Sequence, residues 1–389
     1  MGGTRHVELA QRLARRGHRV TIITSQINYF SGKRLGEKRW ISREREQGLE
    51  IVRCWTLNAI HRSMLWRAIS MITFALVALV AALRIDKVDL VFGTSPPMFQ
   101  LPTAYLAARL RRKPLIIEIR DLWPDFAVAM GVLTNAWLIA LAQWAERFFY
   151  RSADWLVINS PGFHDHVVGR GAREQRLSII PNGVDPTAFH PGERAEGVRT
   201  AWGVGERFTA VYAGAFGPAN NLMTVVEAAE HLRDDDQIRL VLVGDGMERK
   251  KLADAITQRG LTNIRLAAAV PKKDVGKVLA AADCCIATLR DTVWFRTVYP
   301  NKVFDYLAAG RPVVLNIDGV IRQVVEEAGA GVYVPAADGK ALAAAIRHLA
   351  DDPEMARRMG AAGRDHVARR FSRDDQALAL AEICESLAT

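Results

Sequence analysis

The sequence has 389 residues, of which 50% are hydrophobic and 24% are charged. This length predicts two to three domains of roughly 150 residues each, and the composition excludes an intrinsically disordered chain. The four cysteines, Cys54, Cys284, Cys285 and Cys384, have neither CxxC spacing nor a paired framework, and no signal-peptide pattern is seen at the N-terminus. These features favour a protein of the reducing cytoplasm.

The net charge of +10 is confined to the first part of the chain. Up to Arg170 there are 24 Lys and Arg against 13 Asp and Glu, a surplus of 11, whereas the remainder has 28 against 29. Such a field can attract anionic lipid or nucleic acid, or it can belong to an arginine-rich solvated face. We expect peripheral contact with anionic lipid at the inner face of the cell membrane, and no nucleic acid.

One apolar stretch requires a decision about membranes. Residues 68–83 carry no charge, but a spanning helix needs about 20 such residues, and Ser70, Thr73 and several alanines dilute this one. The stretch is either a helix buried in the core or a helix whose surface also enters the membrane interface.

Short β-branched runs alternate with longer amphipathic stretches, a pattern typical of parallel sheets with helices on both faces. The sequence therefore predicts an α/β fold with two doubly wound, Rossmann-like domains, residues 1–180 and 181–370, joined by a turn-rich segment at 181–205. The predicted strands are residues 19–24, 49–54, 90–93, 115–119, 155–158, 177–180, 209–213, 238–243, 264–266, 284–287, 313–315 and 331–334, and helices are predicted at 222–232 and 249–259.

The start of the chain departs from this pattern. Gly2 and Gly3 lead directly into a helical stretch through Arg16, without the central strand that normally opens a doubly wound unit. We expect either that the natural start lies upstream by about one strand and turn, or that the first sheet lacks a central strand.

Two glycine-rich turns follow predicted strands in the second half. Gly244, Asp245 and Gly246 end one strand and lead into a helix, whose N-terminal N–H groups suit a diphosphate. Gly214 and Gly217 follow another strand and permit close approach of a ligand. Either turn can also simply close an ordinary αβ unit.

A more specific segment is YPNKVFDYLAAGRPVV at residues 299–314. Lys302 lies one helical turn before Asp305, so the cation can bind phosphate while the carboxylate accepts hydrogen bonds from ribose hydroxyls. The alternative is a surface pair at i,i+3 spacing. Asn301, Lys302, Asp305 and Arg249 complete the predicted nucleotide-sugar-binding residues.

In the first half, the run EIRDLWPD at residues 118–125 begins where a predicted strand ends, which is the edge where doubly wound sheets bind ligands. Arg120 and Asp121 are predicted to face the cleft and, with Lys302, to act in catalysis, with Asp125 nearby. The alternative is a structural Arg–Asp pair. His6 and His18 have no companion at metal-ligand spacing, and we expect no metal.

Several motifs together resemble glycosyltransferase family 4. They are GHRVTIIT at residues 17–24, IIPNGVD at 179–185, LVGDG at 242–246 and AAGRPVV at 308–314. Within that family, RDLWPD at 120–125 and PNKVFD at 300–305 look most like the WbuB-type enzymes of surface-polysaccharide assembly.

The resemblance implies a GT-B fold, in which two Rossmann-like domains face each other across a cleft. It also implies that a C-terminal segment, residues 371–389 with a helix at about 374–387, returns to the first domain. It also implies a nucleotide sugar, such as a UDP-sugar, in the second domain, transfer with retention of configuration, and no metal or other cofactor. The acceptor implied is a sugar on a polyprenyl diphosphate.

Three departures from the family pattern affect the site. The paired glutamates at eight-residue separation become Thr297 and Asp305, and the usual Arg and Lys after the first strand of the second domain become Ala215 and Asn220. The usual histidine of the first domain is replaced by Arg120. Two rival functions stay open: a non-hydrolysing nucleotide-sugar epimerase, and an inactive nucleotide-binding partner in an assembly complex.

Overall fold

The computed structural model describes residues 4–28, 33–36, 39–59, 64–189 and 194–388. The chain divides into two compact units, one formed by Met1–Pro181 with Arg373–Thr389 and the other by Asn182–Ser372. Gly2 and Gly3, at the predicted unusual start, lie outside the described residues.

The helices and strands alternate along most of the chain. Up to residue 181 they are α1 (Thr4–Arg15), β1 (Thr21–Ser25), β2 (Ile41–Glu46), β3 (Leu49–Cys54), α2 (Met64–Leu83), β4 (Val91–Ser95), α3 (Leu101–Arg111), β5 (Leu115–Ile119), α4 (Asp125–Ala129), α5 (Ala136–Ser152), β6 (Trp155–Ile158), α6 (His164–Gly169) and β7 (Leu177–Ile179). They continue with α7 (Glu196–Trp202), β8 (Phe208–Ala213), α8 (Met223–His231), β9 (Ile238–Val243), α9 (Arg249–Gln258), β10 (Ile264–Ala267), α10 (Val275–Ala280), β11 (Cys284–Thr288), α11 (Asn301–Ala308), β12 (Val313–Asn316), α12 (Val320–Glu327), β13 (Gly331–Tyr333), α13 (Gly339–Asp351), α14 (Pro353–Arg370) and α15 (Arg373–Ala388).

The first unit contains two sheets. Strands β4, β5, β6 and β7 form a parallel sheet in that order, and β1, β3 and β2 form a smaller one in which β2 runs antiparallel to β3. Among the described strands, β1 pairs only with β3 and β4 pairs only with β5. The expected upstream strand stays a prediction.

Helices cover both faces of the larger sheet in this unit. Leu9 of α1 and Leu380 of α15 pack with Ile116 and Val157 on one face. Because side chains of a strand alternate, Leu115 and Ile117, both fully buried, point to the opposite face. There, α3 approaches β4 so closely that a Cβ on Gly93 would lie 2.8 Å from the Cβ of Ala104.

The second unit has one six-stranded parallel sheet in the order β10, β9, β8, β11, β12, β13. Its strands are apolar on both faces because each face is covered by helices. Val211 and Val241 belong to one core cluster, whereas Tyr212 and Leu242 belong to the other. This architecture of two Rossmann-like units confirms the predicted α/β fold class.

The charged strand β2 is absent from the strands that the sequence predicts. Its sequence, ISRERE, is polar, and its burial alternates only weakly along the strand. It forms by pairing along its length with the apolar strand β3, where Arg53 of β3 bonds Glu44 of β2 at 2.9 Å. Pairing with a neighbour outweighs local composition at such an edge.

Candidate functional site

The strand order of the second unit places a ligand crevice at β8. The chain leaves β8 for β9 on one side and later returns to β11 on its other side, so the carboxyl ends of β8 and β11 flank a topological switch point. Ligands of open α/β sheets bind at such points. Gly214 and Gly217 follow β8 directly.

The glycine turns after β8 and β9 fit against each other without room for side chains. Gly244 has φ +159°, and a Cβ there would lie 1.9 Å from the carbonyl oxygen of Gly214. Gly246 has φ +153°, and a Cβ there would lie 2.6 Å from the carbonyl oxygen of Phe216. The two turns are further joined by a hydrogen bond of 2.8 Å from the Phe216 N–H to the Asp245 carbonyl. Glycine is therefore required here by close backbone approach.

Two of the predicted binding residues stabilise this double turn. The Asp245 carboxylate is exposed and accepts the Gly246 N–H at 2.8 Å. The Arg249 Nη1 donates to the carbonyls of Gly244 and Ala267 at 2.8 and 3.1 Å, and its guanidinium lies 5.7 Å from the centre of the Phe216 ring. Arg249 thus holds the strand ends together and brings positive charge to the turn.

Lys302 brings a second positive charge to the turn after β8. Its Nζ donates to the Asn220 Oδ1 at 2.6 Å and to the Tyr212 hydroxyl at 3.0 Å, and lies 4.4 Å from the centre of the Tyr212 ring. Among the described residues no carboxylate forms a salt bridge with it. Removal from solvent therefore lowers the pKa of Lys302 to about 7.

The position of this ammonium bears on the departure at Asn220. The Asn220 Nδ2 donates to the Ala215 carbonyl at 3.0 Å, and the Tyr212 hydroxyl donates to the same carbonyl at 2.8 Å. These bonds orient the Asn220 oxygen and the Tyr212 oxygen toward Lys302. The cation from α11 thus lies beside Asn220, the residue that stands where the family resemblance expects a lysine.

Asp305 has a partner that sequence analysis did not identify. Its Oδ2 contacts the Nζ of Lys272, which lies in the segment after β10. A ribose at Asp305 would therefore share the carboxylate with a cation. Asn301, the first residue of α11, is exposed. Thr297, where the resemblance expects a glutamate, donates its hydroxyl to the Trp294 carbonyl at 2.7 Å.

In the first unit, Arg120 and Asp121 follow β5 as expected. The hydrogen bonds of the Arg120 side chain go to groups other than the Asp121 carboxylate. The Arg120 Nε donates to the Thr94 hydroxyl at 2.9 Å and its Nη2 to the Pro96 carbonyl at 2.6 Å. Burial raises the pKa of Asp121 to about 6, an effect that the nearby Arg120 charge opposes. A carboxyl group with this pKa can hold or release a proton near neutral pH.

A buried charge network beneath these residues goes beyond what the sequence predicts. Glu118, 1% exposed, accepts from the Arg5 Nε at 2.8 Å and contacts the His6 Nε2 at 2.6 Å and the Thr94 hydroxyl at 3.1 Å. Burial would raise the pKa of Glu118, but Arg5 and His6 hold it well below its usual range. The sequence feature that could have indicated this network is the single acid in the apolar run LIIEI, since a buried charge needs a partner.

Asp125 belongs to a separate ionic cluster. Its carboxylate contacts Arg170 at 3.1 Å, and Arg170 also reaches Glu146 at 3.4 Å. His166 bonds the other oxygen of Glu146 at 2.8 Å. These groups connect α4, α5 and α6, which makes Asp125 a structural residue in this unit. Among the described residues, no group of three or more His, Cys, Asp or Glu side chains is arranged to hold a metal ion.

The fold and the glycine turns define a class, that of α/β proteins with two Rossmann-like units and a phosphate-suited turn in the second. The family described as "Glycosyl transferase 4-like domain" matches residues 2–183, and "Glycosyl transferases group 1" matches residues 199–366. Together these matches span most of the chain, which belongs to the family 4 glycosyltransferases of the GT-B fold.

Individual relatives agree with this family. WcaI of Escherichia coli, whose name assigns it to colanic acid biosynthesis as a glycosyl transferase, is 25% identical over 87% of this chain and 86% of its own. A GDP-mannose-dependent alpha-mannosyltransferase of Mycobacterium tuberculosis is 25% identical over 69% of this chain and 66% of its own. The structure of Anabaena HepE with UDP and glucose superposes with a TM-score of 0.75 at 16% identity, covering 100% of this chain and 97% of that one.

The glycines of the two turns lead to a first prediction. Gly244→Ala is expected to lower the free energy of unfolding by about 1–3 kcal/mol, because the new Cβ overlaps the Gly214 carbonyl. Gly217→Ala is the matched control, since its φ is negative and the nearest atom lies 3.9 Å away. It should keep wild-type stability yet reduce the thermal stabilisation by UDP. If Gly217→Ala responds to UDP like the wild type, Gly217 only shapes the turn.

Lys302 leads to a second prediction, on pH. Because the pKa of Lys302 is about 7 in the free protein, its side chain is largely a neutral amine at pH 8.5. Binding of a diphosphate should therefore be accompanied by uptake of a proton. The dissociation constant of UDP should therefore rise as pH increases above 7, by up to about tenfold per unit. Calorimetry in buffers of different ionisation enthalpy should show proton uptake on binding. Lys302→Met should abolish the uptake, and uptake that persists in this variant would assign it to another group.

Proposed function

We propose that this glycosyltransferase moves a sugar from a nucleotide diphosphate, namely UDP, to a lipid-linked glycan acceptor, with retention of configuration and without a metal. The observation that carries this proposal is the half-buried ammonium of Lys302 at the strand switch point, where its described hydrogen bonds go only to neutral oxygens. A cation in this state gains a partner when an anionic leaving group arrives.

The identity of the donor is supported by the neighbours in different degrees. The HepE structure is that of a complex with UDP and glucose, whereas the name of the mycobacterial relative specifies GDP-mannose. Asp305 lies within α11 and contacts Lys272 in the segment after β10, and a ribose is proposed to bind there. We propose that Asp305 accepts from a ribose hydroxyl and that Asn301 borders the diphosphate.

The acceptor is proposed from chemistry and relatives together. The name of WcaI places it in the biosynthesis of colanic acid. The positive surplus of the first unit suits an acceptor that carries a diphosphate at the cytoplasmic face of a membrane. Arg120 and Asp121, at the carboxyl end of β5, are proposed to contact this acceptor.

The proposed chemistry follows from these assignments. The acceptor hydroxyl attacks the anomeric carbon on the face from which the nucleotide departs. The new glycosidic bond forms as the bond between the anomeric carbon and the diphosphate oxygen breaks, and the hydroxyl proton passes to that departing oxygen. Lys302 and the backbone N–H groups of the turns stabilise the charge that develops on the diphosphate. Asp121, as the ionised carboxylate, orients the acceptor hydroxyl.

A direct test begins with a panel of nucleotide sugars in thermal unfolding. A donor at 100 times its dissociation constant should stabilise the protein by about 2.7 kcal/mol. The stabilising donor is then incubated with polyprenyl-diphosphate-linked sugar, and the anomeric configuration of the product is determined. Interconversion of the donor sugar without acceptor would instead indicate an epimerase, and binding without turnover would indicate an inactive partner.

A third prediction tests whether Lys302 supplies the charge expected at Asn220. Lys302→Ala should lower kcat more than it weakens donor binding, because the charge matters most as the leaving group forms. Lys302→Ala combined with Asn220→Lys should recover part of that loss, since the new ammonium starts from the adjoining side chain. Asn220→Lys alone is the control, and it should lose activity because two cations repel. No recovery in the double variant would show that the cation must come from α11.

A fourth prediction separates Asp305 from Lys302. Asp305→Ala should raise the KM for donor and change kcat comparatively little, because a ribose contact is present in the ground and transition states alike. Asp305→Glu should be tolerated. Lys272→Ala removes only the ion-pair partner and should affect the KM less than Asp305→Ala does. If Asp305→Ala binds and turns over donor like the wild type, Asp305 is only a residue of the helix start.

A fifth prediction concerns Asp121. Because its pKa is about 6 and the proposed role needs the carboxylate, kcat/KM for the acceptor should rise as pH increases from 5 to 7. Asp121→Asn should lower the rate and remove this acidic limb. A variant that keeps the same limb would place the titrating group elsewhere.

A further inference from the structure

Large apolar side chains are exposed very unevenly between the two units. In the first unit most of them lie on the three neighbouring helices α2, α3 and α5, and they include Leu76, Leu110 and Trp137, which are 62%, 64% and 71% exposed. In the described part of residues 182–372 they are isolated, as at Met247 and Val293. An apolar surface concentrated in this way marks an interaction site.

The three helices lie side by side, and α2 and α3 run in the same direction. The Thr103 hydroxyl of α3 bonds the Ala75 carbonyl of α2, and eight residues later Arg111 bonds the Ala82 carbonyl. Advance along α3 is thus matched by advance along α2. On its other side, the Tyr105 ring of α3 packs edge-on against Phe148 of α5 at 5.1 Å.

The outward residues of each helix follow helical spacing. Ile72 and Leu76 on α2, Leu106 and Leu110 on α3, and Trp137 and Trp144 on α5 are exposed at separations of four or seven residues, which place each pair on one side of its helix. We call these six residues the apolar helix face.

The exposed charged side chains on these three helices are all basic, although Arg109 also contacts Asp154, just beyond the end of α5, at 3.5 Å. Across α2, α3 and α5 the only acidic side chain is Glu146, which is fully buried, whereas Arg67, Arg109, Arg147 and Arg151 are basic. Arg111, at the end of α3, is bonded to main-chain carbonyls. Apolar surface bordered by arginine is complementary to lipid that carries negative head groups.

We propose that the apolar helix face docks on a membrane leaflet that contains anionic phospholipid. This inference deepens the proposed function and rests on it for the idea that the acceptor lies at a membrane. Docking itself, however, requires no sugar transfer. A second copy of the chain is a poorer occupant, because a two-fold contact would bring the arginine borders of both copies together. Exposed tryptophans are the aromatic residues that favour the membrane interface.

The helices lie on the membrane surface in this proposal. The segment Leu65–Leu83 of α2 is long and apolar enough to cross a bilayer, and 22% of it is buried in the protein. Val77, Ala78 and Ala81 pack with Val52 of β3, so one side of α2 is covered by the sheet. The other side carries Ile72 and Leu76, which corresponds to a helix in the interface with its exposed side in contact with lipid.

This orientation is consistent with acceptor delivery within the first unit. Helices α2 and α3 follow β3 and β4, and α5 follows β5 after the short helix α4, so all three come after the carboxyl end of a strand. Trp137 lies at the start of α5, and Arg120 and Asp121 lie directly after β5. A leaflet on the apolar helix face would present a lipid-linked diphosphate close to that edge.

The test is flotation of the full chain with vesicles of phosphatidylcholine alone or mixed equally with phosphatidylglycerol. The wild type should bind the mixed vesicles more strongly, and binding should weaken as salt shortens the Debye length from about 10 Å at 0.1 M to about 3 Å at 1 M. Leu76→Asp should reduce partition by about tenfold or more. Leu378→Asp on α15, whose helix packs on the opposite face of the sheet, is the matched control and should bind like the wild type.

The outcomes separate docking from catalysis. Thermal unfolding establishes that Leu76→Asp and Leu378→Asp are folded. Trp144→Ser provides a second, uncharged change on the apolar helix face. Lys302→Ala should bind vesicles like the wild type even if it is inactive. Vesicle binding can therefore be interpreted even if the proposed sugar transfer is not observed. The proposal is overturned if the wild type ignores vesicles, if Leu76→Asp and Trp144→Ser both bind normally, or if Leu76→Asp converts a dimer to a monomer without changing vesicle binding.

Discussion

The site in the second unit depends on a half-buried cation to which the fold gives no carboxylate among its described partners. Lys302 is held by a phenol and an amide, both neutral, at the end of the central strand. A carboxylate there would stabilise the free protein, but it would compete with an incoming diphosphate. The lowered pKa of Lys302 expresses the cost of this arrangement, which a bound anion would relieve.

The first unit treats its buried charge in the opposite way. Glu118 is surrounded by Arg5, His6 and Thr94, and the Arg5 guanidinium also bonds the Ile180 and Pro181 carbonyls. This carboxylate is fully occupied and connects α1 to the central strands. Three residues further on, Asp121 has a raised pKa because the Arg120 charge only partly offsets its burial. The two acids therefore differ in availability, which separates a structural group from one that can act on a ligand.

The alternation of apolar runs predicted the parallel strands well, because a strand covered on both faces must be apolar along its whole length. It could not predict β2, whose formation depends on the neighbouring β3, or the extension of α2 to residue 64. The glycines of the site were predictable as turn residues, but their mutual contact was not, since Gly214 and Gly244 are far apart in sequence and the contact depends on strand order. Glu118 was visible as an acid in an apolar run, whereas its partner Arg5 required the packing of α1.

The pairing of Lys302 with Asn220 shows why residue-by-residue comparison with a family has limits. The two residues are 82 positions apart, and the sequence indicates only that a lysine is absent from one segment and present in another. In the structure the ammonium from α11 reaches the same turn that follows β8. A phosphate responds to charge at a point in space and not to the segment that supplies it, because Coulomb attraction between two charges in a given medium depends on the distance between them. A positive charge is therefore kept at the turn after β8 despite the departure at Asn220. The charge is supplied by α11, so the position of α11 determines where it lies.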